Sequence, residues 1–262
     1  MSRAPGWLLP FAALGLALLV LPLLALLVRL DWSSVPAVLA STEAQQALGL
    51  SLATAACATL ICLVFGVPLA LVLARAGQRT AAVLRVLISL PLVMPPLVGG
   101  IALLALLGRT GVFGSALALA GIRIPFTTAA VVIAQAFVAL PFLVITLEGS
   151  LRTSGTRFEQ VAASLGASRS HVLWRITLPL VMPGLVSGTV LCFARALGEF
   201  GATALFAGNA PGVTRTIPLA IYSAFNGAGV NENLAITLAL LLIAVALAVL
   251  LGLRSWRPEV ER

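Results

Sequence analysis

Residues 159–179 read EQVAASLGASRSHVLWRITLP and separate two long apolar segments of the chain. Ionisable side chains are concentrated here, with Arg157 just upstream and Glu159, Arg169, His171 and Arg175 within the stretch. Read as a helix, the stretch places Val161, Leu165 and Val172 near one side, a partly amphipathic pattern typical of a helix outside lipid. The chain becomes apolar again at Ile176. We therefore expect an ordered loop between two membrane spans that contacts a partner.

The composition excludes an ordinary soluble domain. Of the 262 residues, 61% are hydrophobic and 9% are charged. Soluble domains have about 45–50% apolar and about 25% charged residues. The sequence therefore predicts a polytopic membrane protein, whose surface is in contact with membrane lipid.

Six apolar stretches can each cross roughly 30 Å of hydrocarbon at about 1.5 Å per residue. They are residues 7–28, 47–74, 83–107, 126–147, 176–206 and 233–253. The first is longer than the apolar core of a signal peptide and has no small-residue cleavage motif after it, so we expect a retained helix. The sequence predicts an all-α membrane protein with one transmembrane domain (1–262) and a cytoplasmic loop at 152–175.

The arginines predict the orientation of these spans. All sixteen basic residues are arginines, and with both termini in the cytoplasm eleven of them lie on that side: Arg3, Arg75, Arg79, Arg85, Arg152, Arg157, Arg169, Arg175, Arg254, Arg257 and Arg262. Four lie outside, namely Arg29, Arg109, Arg123 and Arg215, and Arg195 falls within a span. This excess matches the positive-inside rule. The net charge of +8 is thus a topology signal, and no aromatic–basic pattern predicts nucleic-acid binding.

The sequence predicts neither a catalytic site nor a metal site. It contains no GxxxxGK[ST], HExxH or GxSxG pattern and only one histidine. The three cysteines, Cys57, Cys62 and Cys192, lie within apolar runs without metal-ligand spacing, so we interpret them as small packing residues.

Residues 90–100, LPLVMPPLVGG, interrupt the third span with Pro91, Pro95 and Pro96. Proline removes a backbone hydrogen bond and kinks a helix. In a membrane such a kink is tolerated where the freed carbonyls face protein or a water-filled cavity. The stretch predicts a bent or broken helix. Two interpretations remain open: the bend borders a transport pathway, or it only shapes the packing.

Arg195 and Glu199 are the charged pair of the fifth span. Four residues apart, they share a helical face and can form an ion pair. Charges at membrane depth usually face the interior of a bundle or a cavity. The pair either borders a substrate path or gate, or it neutralises itself within the helix packing. Gly198 and Gly201 flank Glu199 and would allow another backbone to approach closely.

Gly166, followed after nine residues by Ile176-Thr177-Leu178-Pro179, resembles the cytoplasmic loop motif of bacterial binding-protein-dependent ABC importer permeases. The leading Glu-Ala-Ala of that motif aligns with residues 160–162, which read Gln-Val-Ala, and Glu159 stands one residue early. The resemblance implies that this loop couples the permease to ATPase subunits. The residues it assigns to coupling are Glu159, Gln160, Ala162, Ala163, Gly166, Ala167, Ile176, Leu178 and Pro179.

Four further stretches are similar to the molybdate-type oxyanion permeases: residues 90–100, GRTGVFG at 108–114, FARALGEFGAT at 193–203 and GVTRTIPLAIY at 212–222. Sulfate and thiosulfate permeases share the Leu-Gly-Glu-Phe-Gly part and match residues 214–222 less well. The resemblance implies an importer of a tetrahedral oxyanion, with molybdate favoured and tungstate close to it in size and charge. The alternatives are a sulfate or thiosulfate permease and, from another class, an ATP-independent secondary transporter.

The same resemblance implies the assembly. It predicts a type I ABC importer permease fold in the bacterial inner membrane, with two six-span subunits forming a homodimer around a central path. Two cytoplasmic ABC ATPase subunits would use ATP and Mg²⁺, so this chain would be non-catalytic and bind no cofactor itself. A periplasmic or lipid-anchored binding protein would deliver the anion. The residues expected at the translocation path or gate are Pro95, Pro96, Arg195 and Glu199.

Overall fold

The computed structural model describes residues 5–227 and 231–254, and every regular element in these two ranges is a helix. In chain order the helices are α1 (Leu8–Arg29), α2 (Val35–Ala40), α3 (Thr42–Arg75), α4 (Gln78–Val93), α5 (Pro96–Leu107), α6 (Gly114–Leu119), α7 (Thr128–Ser154), α8 (Arg157–Ser164), α9 (Arg169–Val172), a π-helical turn (Leu173–Thr177), α10 (Leu178–Leu180), α11 (Met182–Leu197), α12 (Gly201–Phe206), α13 (Ile217–Asn226) and α14 (Glu232–Arg254).

Helices α1, α3, α7 and α14 are each long and apolar enough to cross a membrane. Two further spans are possible only as bent pairs: α4 and α5 meet at 111°, and the segment 169–180 meets α11 at 70°. The described chain therefore has four crossing helices, or up to six if each bent pair is one span. The stretch predicted as the third span, 83–107, is two helices, and the stretch 176–206 includes α10, α11 and α12.

The breaks follow the proline positions only in part. Helix α4 ends at Val93, and α5 begins at Pro96. Proline is well tolerated in the first turn of a helix, because the N–H groups there have no carbonyl partner within the helix. Pro68 and Pro141 instead lie inside α3 and α7, which continue past them. A proline thus permits a break, and the packing around it decides whether the helix ends.

Helix α7 is the central element of the bundle and packs between α3 and α11. Small residues form this core: Ala55, Ala58 and Cys62 of α3, Ala136 and Ala139 of α7, and Cys192 and Ala196 of α11. Small side chains let helix backbones approach closely, and such residues are typical of helix interfaces in membranes. Cys62 and Cys192 are accordingly buried packing residues, whereas Cys57 is exposed.

Ion pairs lie near both ends of the bundle. Arg215 pairs with Glu43 at the start of α3, and Arg75 at its end pairs with Glu159. Because α3 has 34 residues, at about 1.5 Å each its ends are about 51 Å apart. The arginines predicted to be external and cytoplasmic are thus separated along α3. Arg3, Arg257 and Arg262 lie outside the described residues.

Candidate functional site

The first part of the candidate site is the exposed helix α8 in the 152–175 segment. None of its residues is buried, and Phe158 and Val161 are 61% and 55% exposed. Leu165, which caps the helix, is 83% exposed. At positions i, i+3 and i+7 these three side chains share one face. The segment therefore presents an apolar surface beyond the helical bundle. The sequence predicts Val172 on the same side, and this prediction is wrong, because Val172 is buried in α9.

Gly166 ends α8 by adopting a left-handed backbone, with φ of +84°. Its N–H donates to the carbonyl of Ala163, and the N–H of Ala167 donates to that of Ala162, both at 3.0 Å. This pattern is a Schellman motif, in which a glycine in the left-handed region satisfies the last helical carbonyls. The hydroxyl of Ser168 then caps α9 by accepting from the N–H of His171. The turn between α8 and α9 thus requires glycine for its backbone conformation.

Glu159 ties α8 to the rest of the bundle. Its Oε1 lies 3.0 Å from a guanidinium nitrogen of Arg75, at the end of α3, and accepts a 2.6 Å hydrogen bond from the hydroxyl of Thr177. Thr177 is buried, at the end of the π-helical turn. The neighbouring Gln160 bonds only the local Thr156 hydroxyl. Glu159 is therefore the side chain through which α8 contacts two other elements.

Another carboxylate that joins two helices is Glu148, and this one is buried. Glu148 of α7 is 4% exposed and pairs with Arg85 of α4 and, 3.5 Å away, with Arg152 one turn later in α7. Removing one partner of a buried ion pair is strongly destabilising, because it leaves an uncompensated charge. Glu148 thus holds α4 against α7. The 148–152 spacing is the sequence signal that could have found it.

The π-helical turn Leu173–Thr177 connects α9 to the membrane segment. Pro179 follows it, and a proline cannot donate to the carbonyl four residues back and crowds it sterically. A π-helical turn is a known local adjustment in helices and occurs frequently at functional sites. It contains Ile176, while Leu178 and Pro179 lie in α10, just before the 70° bend. The motif residues at 176–179 therefore build the joint between the exposed segment and α11.

The second part of the candidate site is a cavity of about 150 Å³ at the α4–α5 break. Its walls are Pro91, Leu92, Met94, Pro95, Pro96, Gly99, Phe137, Val138, Phe142 and Arg195. The cavity thus brings together three of the four residues expected at the translocation path, namely Pro95, Pro96 and Arg195. Glu199 is not part of its wall. Of the residues around the cavity, only Arg195 carries a charge.

Arg195 and Glu199 form the ion pair expected from their spacing, with 2.8 Å between a guanidinium nitrogen and Oε2. Glu199 is 1% exposed, and its Oε1 accepts a 2.9 Å hydrogen bond from the N–H of Ala202 in α12. Arg195 lies in the last turn of α11. The carboxylate thus bridges the break between α11 and α12. A buried carboxylate needs such partners, because burying an unpaired charge is very costly.

Helices α5 and α12 pack backbone against backbone. A Cβ added to Gly100 would lie 2.9 Å from Cβ of Leu205 and 3.0 Å from the carbonyl oxygen of Ala202. One added to Gly201 would lie 2.6 Å from Cβ of Pro96. The distances of 2.9 Å and 2.6 Å are shorter than those that real Cβ atoms show. The two short helices that follow the breaks at Pro95 and Gly198 are therefore closely joined to each other.

The residues predicted to form the coupling surface do lie in one continuous region, from α8 to α10. Sequence reasoning missed Phe158 on the exposed face and Arg75 and Thr177 as partners of Glu159. Among the described residues there is no group of three or more histidine, cysteine, aspartate or glutamate side chains that could hold a metal ion.

Proteins similar to this chain are named as permeases of molybdenum transport systems. The Molybdenum transport system permease protein ModB of Mycobacterium bovis is 52% identical over 254 residues, covering 97% of this chain and 95% of the relative. The protein of the same name from Escherichia coli strain K12 is 41% identical over 218 residues, covering 83% and 94%. Both alignments include α8, the α4–α5 break and the Arg195–Glu199 pair in their span of the chain.

Solved ABC importers share the fold. A bacterial alginate ABC transporter, crystallised in complex with an alginate pentasaccharide-bound periplasmic protein, has a chain that superimposes with a TM-score of 0.71 at 19% identity, covering 94% of this chain and 91% of that one. The family model described as "Binding-protein-dependent transport system inner membrane component" matches residues 66–255. This chain is therefore a multi-pass membrane protein that belongs to the family of inner membrane components of binding-protein-dependent transport systems.

Proposed function

We propose that this chain is the membrane-spanning subunit of an ATP-driven importer of molybdate, with tungstate as an accepted analogue. The 52% identity to ModB of Mycobacterium bovis over almost the whole chain carries this proposal. The alignments with both ModB relatives are long enough to span the bend at Pro95 and Pro96 and the Arg195–Glu199 pair. The subunit itself is non-catalytic and has its two termini in the cytoplasm.

Two copies of the chain form the path, and two cytoplasmic ATPase subunits drive it. The exposed apolar face of α8, with Phe158, Val161 and Leu165, is the surface that an ATPase subunit would cover. Motion of α8 passes to α3 and to the π-helical turn through Glu159, because this carboxylate holds both Arg75 and Thr177. A periplasmic or lipid-anchored binding protein delivers the anion on the opposite side.

The subunit has to move a divalent anion through hydrocarbon. Burying an unpaired charge costs tens of kcal/mol in the Born limit, so the anion needs a polar route that is never open at both ends. ATP binding and hydrolysis supply the two states, and each state requires contacts that the other lacks. The angles at the α4–α5 bend and at the α10–α11 bend are where the helices of this subunit can differ between the two states.

An ATP-independent secondary transporter fits the molecule less well. Such transporters coordinate their coupling ion near the middle of the membrane. The buried carboxylate available there is Glu199, and it is already engaged by Arg195 and by the N–H of Ala202. The exposed α8 surface would also have no role.

The test is anion-stimulated ATP hydrolysis by the permease reconstituted into proteoliposomes with its cognate ATPase and binding protein. Molybdate, tungstate and sulfate are compared side by side at equal concentration. We expect molybdate and tungstate to stimulate hydrolysis and to be taken up, and sulfate to do neither. Proteoliposomes without the binding protein are the control for basal hydrolysis.

Stimulation by sulfate alone would make the chain a sulfate-type permease and leave the ABC importer assignment intact. Failure of the ATPase to co-purify with the permease would contradict the proposal altogether.

A further inference from the structure

The cavity at the α4–α5 break has one charged side chain in an otherwise apolar wall. Its volume is about 150 Å³. A cavity of this volume is large enough for several water molecules. A tetrahedral oxyanion has five heavy atoms. The cavity therefore has the size for such an anion, and Arg195 supplies the only positive charge in its wall.

Arg195 has hydrogen-bond donors to spare. A guanidinium carries five N–H groups, and Glu199 contacts one of its nitrogens. The Arg195 side chain is 27% exposed while that of Glu199 is 1% exposed. The carboxylate thus lies on the protein side of the guanidinium, and the remaining donors are accessible from the cavity. Arginine is well suited to this role because its fork of donors matches two oxygens of an oxyanion.

Glu199 limits how tightly an anion can bind there. Its carboxylate neutralises the charge of Arg195. It also accepts a hydrogen bond from the N–H of Ala202, near the start of α12. An anion on Arg195 would compete with the carboxylate for the guanidinium. As the anion takes over donors, Glu199 would loosen its hold between α11 and α12, where the helix is interrupted at residues 198–200.

Resting on the proposed function, we propose that Arg195 is the contact of the permease itself for the tetrahedral oxyanion, and that Glu199 is an internal competitor that keeps this contact weak. A weak contact serves transport, since an anion held tightly inside the path would not leave. Selectivity then rests with the binding protein. The ion pair is thus part of the path, and it also connects α11 to α12 across the break between them.

Four variants separate this role from simple packing. Glu199→Gln keeps an oxygen for the N–H of Ala202 and removes the competing charge. The double variant Arg195→Gln/Glu199→Gln removes both charges together, so that neither charge is left without its partner. Arg195→Lys keeps the positive charge. Arg109→Gln, on an exposed arginine in the segment between α5 and α6, is the matched control.

Binding of molybdate is measured by equilibrium dialysis on the permease–ATPase complex without the binding protein, and uptake is measured in the complete reconstituted system. We expect Glu199→Gln to bind molybdate at least about ten-fold more tightly than the wild type, a typical size for coupling between sites, and to turn over more slowly. The double variant should assemble normally, bind no molybdate and transport at least about ten-fold more slowly. Arg195→Lys should keep part of the uptake, and Arg109→Gln all of it.

Wild-type uptake by the double variant would overturn this inference, because a pair needed only for packing is replaced without loss by a neutral pair. Unchanged molybdate affinity in Glu199→Gln would overturn it as well. In both cases oxyanion-stimulated hydrolysis by the wild-type complex would leave the proposed function intact. A wild-type complex that no oxyanion stimulates would overturn the proposed function and this inference together.

Discussion

Gly166 is the residue at which the proposed coupling depends on a particular backbone conformation. A Cβ added there would meet nothing within 4 Å, so the position has room for a side chain. Its φ of +84° is what disfavours most other residues, since left-handed backbone costs roughly 1–2 kcal/mol for an L-residue with a Cβ. In the sequence this glycine stands out as part of a motif, and its backbone conformation gives the physical reason.

Gly166→Val should therefore uncouple transport from ATP hydrolysis. A β-branched residue cannot keep the left-handed turn without strain, so α8 would change its direction relative to α9 while the membrane core stays intact. We expect uptake to fall while basal hydrolysis and membrane insertion persist. Gly166→Asn is the matched control, because asparagine tolerates this backbone region, and it should remain close to the wild type. Equal uptake by all three proteins would contradict the role of the turn.

Glu159 provides a second prediction at the same scale. Glu159→Ala would leave the buried hydroxyl of Thr177 without its acceptor, at a cost of about 1–3 kcal/mol, and would disconnect α8 from Arg75. We expect lower uptake per ATP hydrolysed. Gln160→Ala, next to it, removes only a local hydrogen bond and should have little effect. A larger defect for Gln160→Ala than for Glu159→Ala would show that the motif acts through position 160.

At the scale of helices, the close packing of α5 against α12 depends on glycine. These two helices follow the two breaks that flank the cavity, and Gly100 and Gly201 let their backbones meet. A pair so closely joined should move as one body when the bends change. This makes the α5–α12 contact a candidate for the part of the subunit that opens and closes the path.

Gly100→Ala tests that packing. The added methyl group would lie 3.0 Å from the Ala202 carbonyl oxygen, so either the backbones separate or the helices shift. Overpacking of this kind typically costs 1–3 kcal/mol, and we expect a lower unfolding temperature in detergent together with slower uptake. Gly49→Ala is the control, because its added Cβ would meet nothing within 4 Å within α3. It should leave the protein unchanged or make it up to about 1 kcal/mol more stable.

At the scale of the whole molecule, the distribution of arginines sets the orientation in the membrane. Arg75 and Arg175 lie on the same side as the exposed α8, while Arg215 pairs with Glu43 at the far end of α3. The positive-inside rule predicts that the α8 side is cytoplasmic. In that orientation the candidate ATPase surface lies on the side where ATP is found.

Cysteine labelling tests the orientation. In a variant in which Cys57, Cys62 and Cys192 are replaced by alanine, we introduce either Ala120→Cys or Ser170→Cys, both at exposed positions. A membrane-impermeant maleimide added to spheroplasts should label Ala120→Cys, and should label Ser170→Cys only after lysis. The opposite result would reverse the topology. Unchanged uptake by the cysteine-free background is the control for folding.

The apolar spans and the bend between α4 and α5 could be predicted from local sequence, whereas the bend before α11 and the turn at Gly166 could not. The length of an apolar run decides whether the segment can cross a membrane, and the prolines at 91–96 predict the break between α4 and α5. The i, i+4 spacing of Arg195 and Glu199 predicts their ion pair, because the geometry within one helix is known in advance. The sequence was read as one helix, but Gly166 separates α8 from α9, so Val172 is buried in α9 while Phe158 is exposed on α8.

The sequence by itself thus determined what depends on neighbours along the chain: the apolar spans, their orientation signal, the proline break between α4 and α5 and the ion pair within one helical stretch. Only the tertiary structure decided which distant residues meet. Glu159 pairs with Arg75, which is 84 positions away in the sequence, and Glu148 pairs with Arg85, which is 63 positions away. The cavity likewise combines a proline break with an arginine about a hundred residues later. Such contacts depend on how helices rotate and cross, and the packing of small side chains over the whole bundle sets these angles.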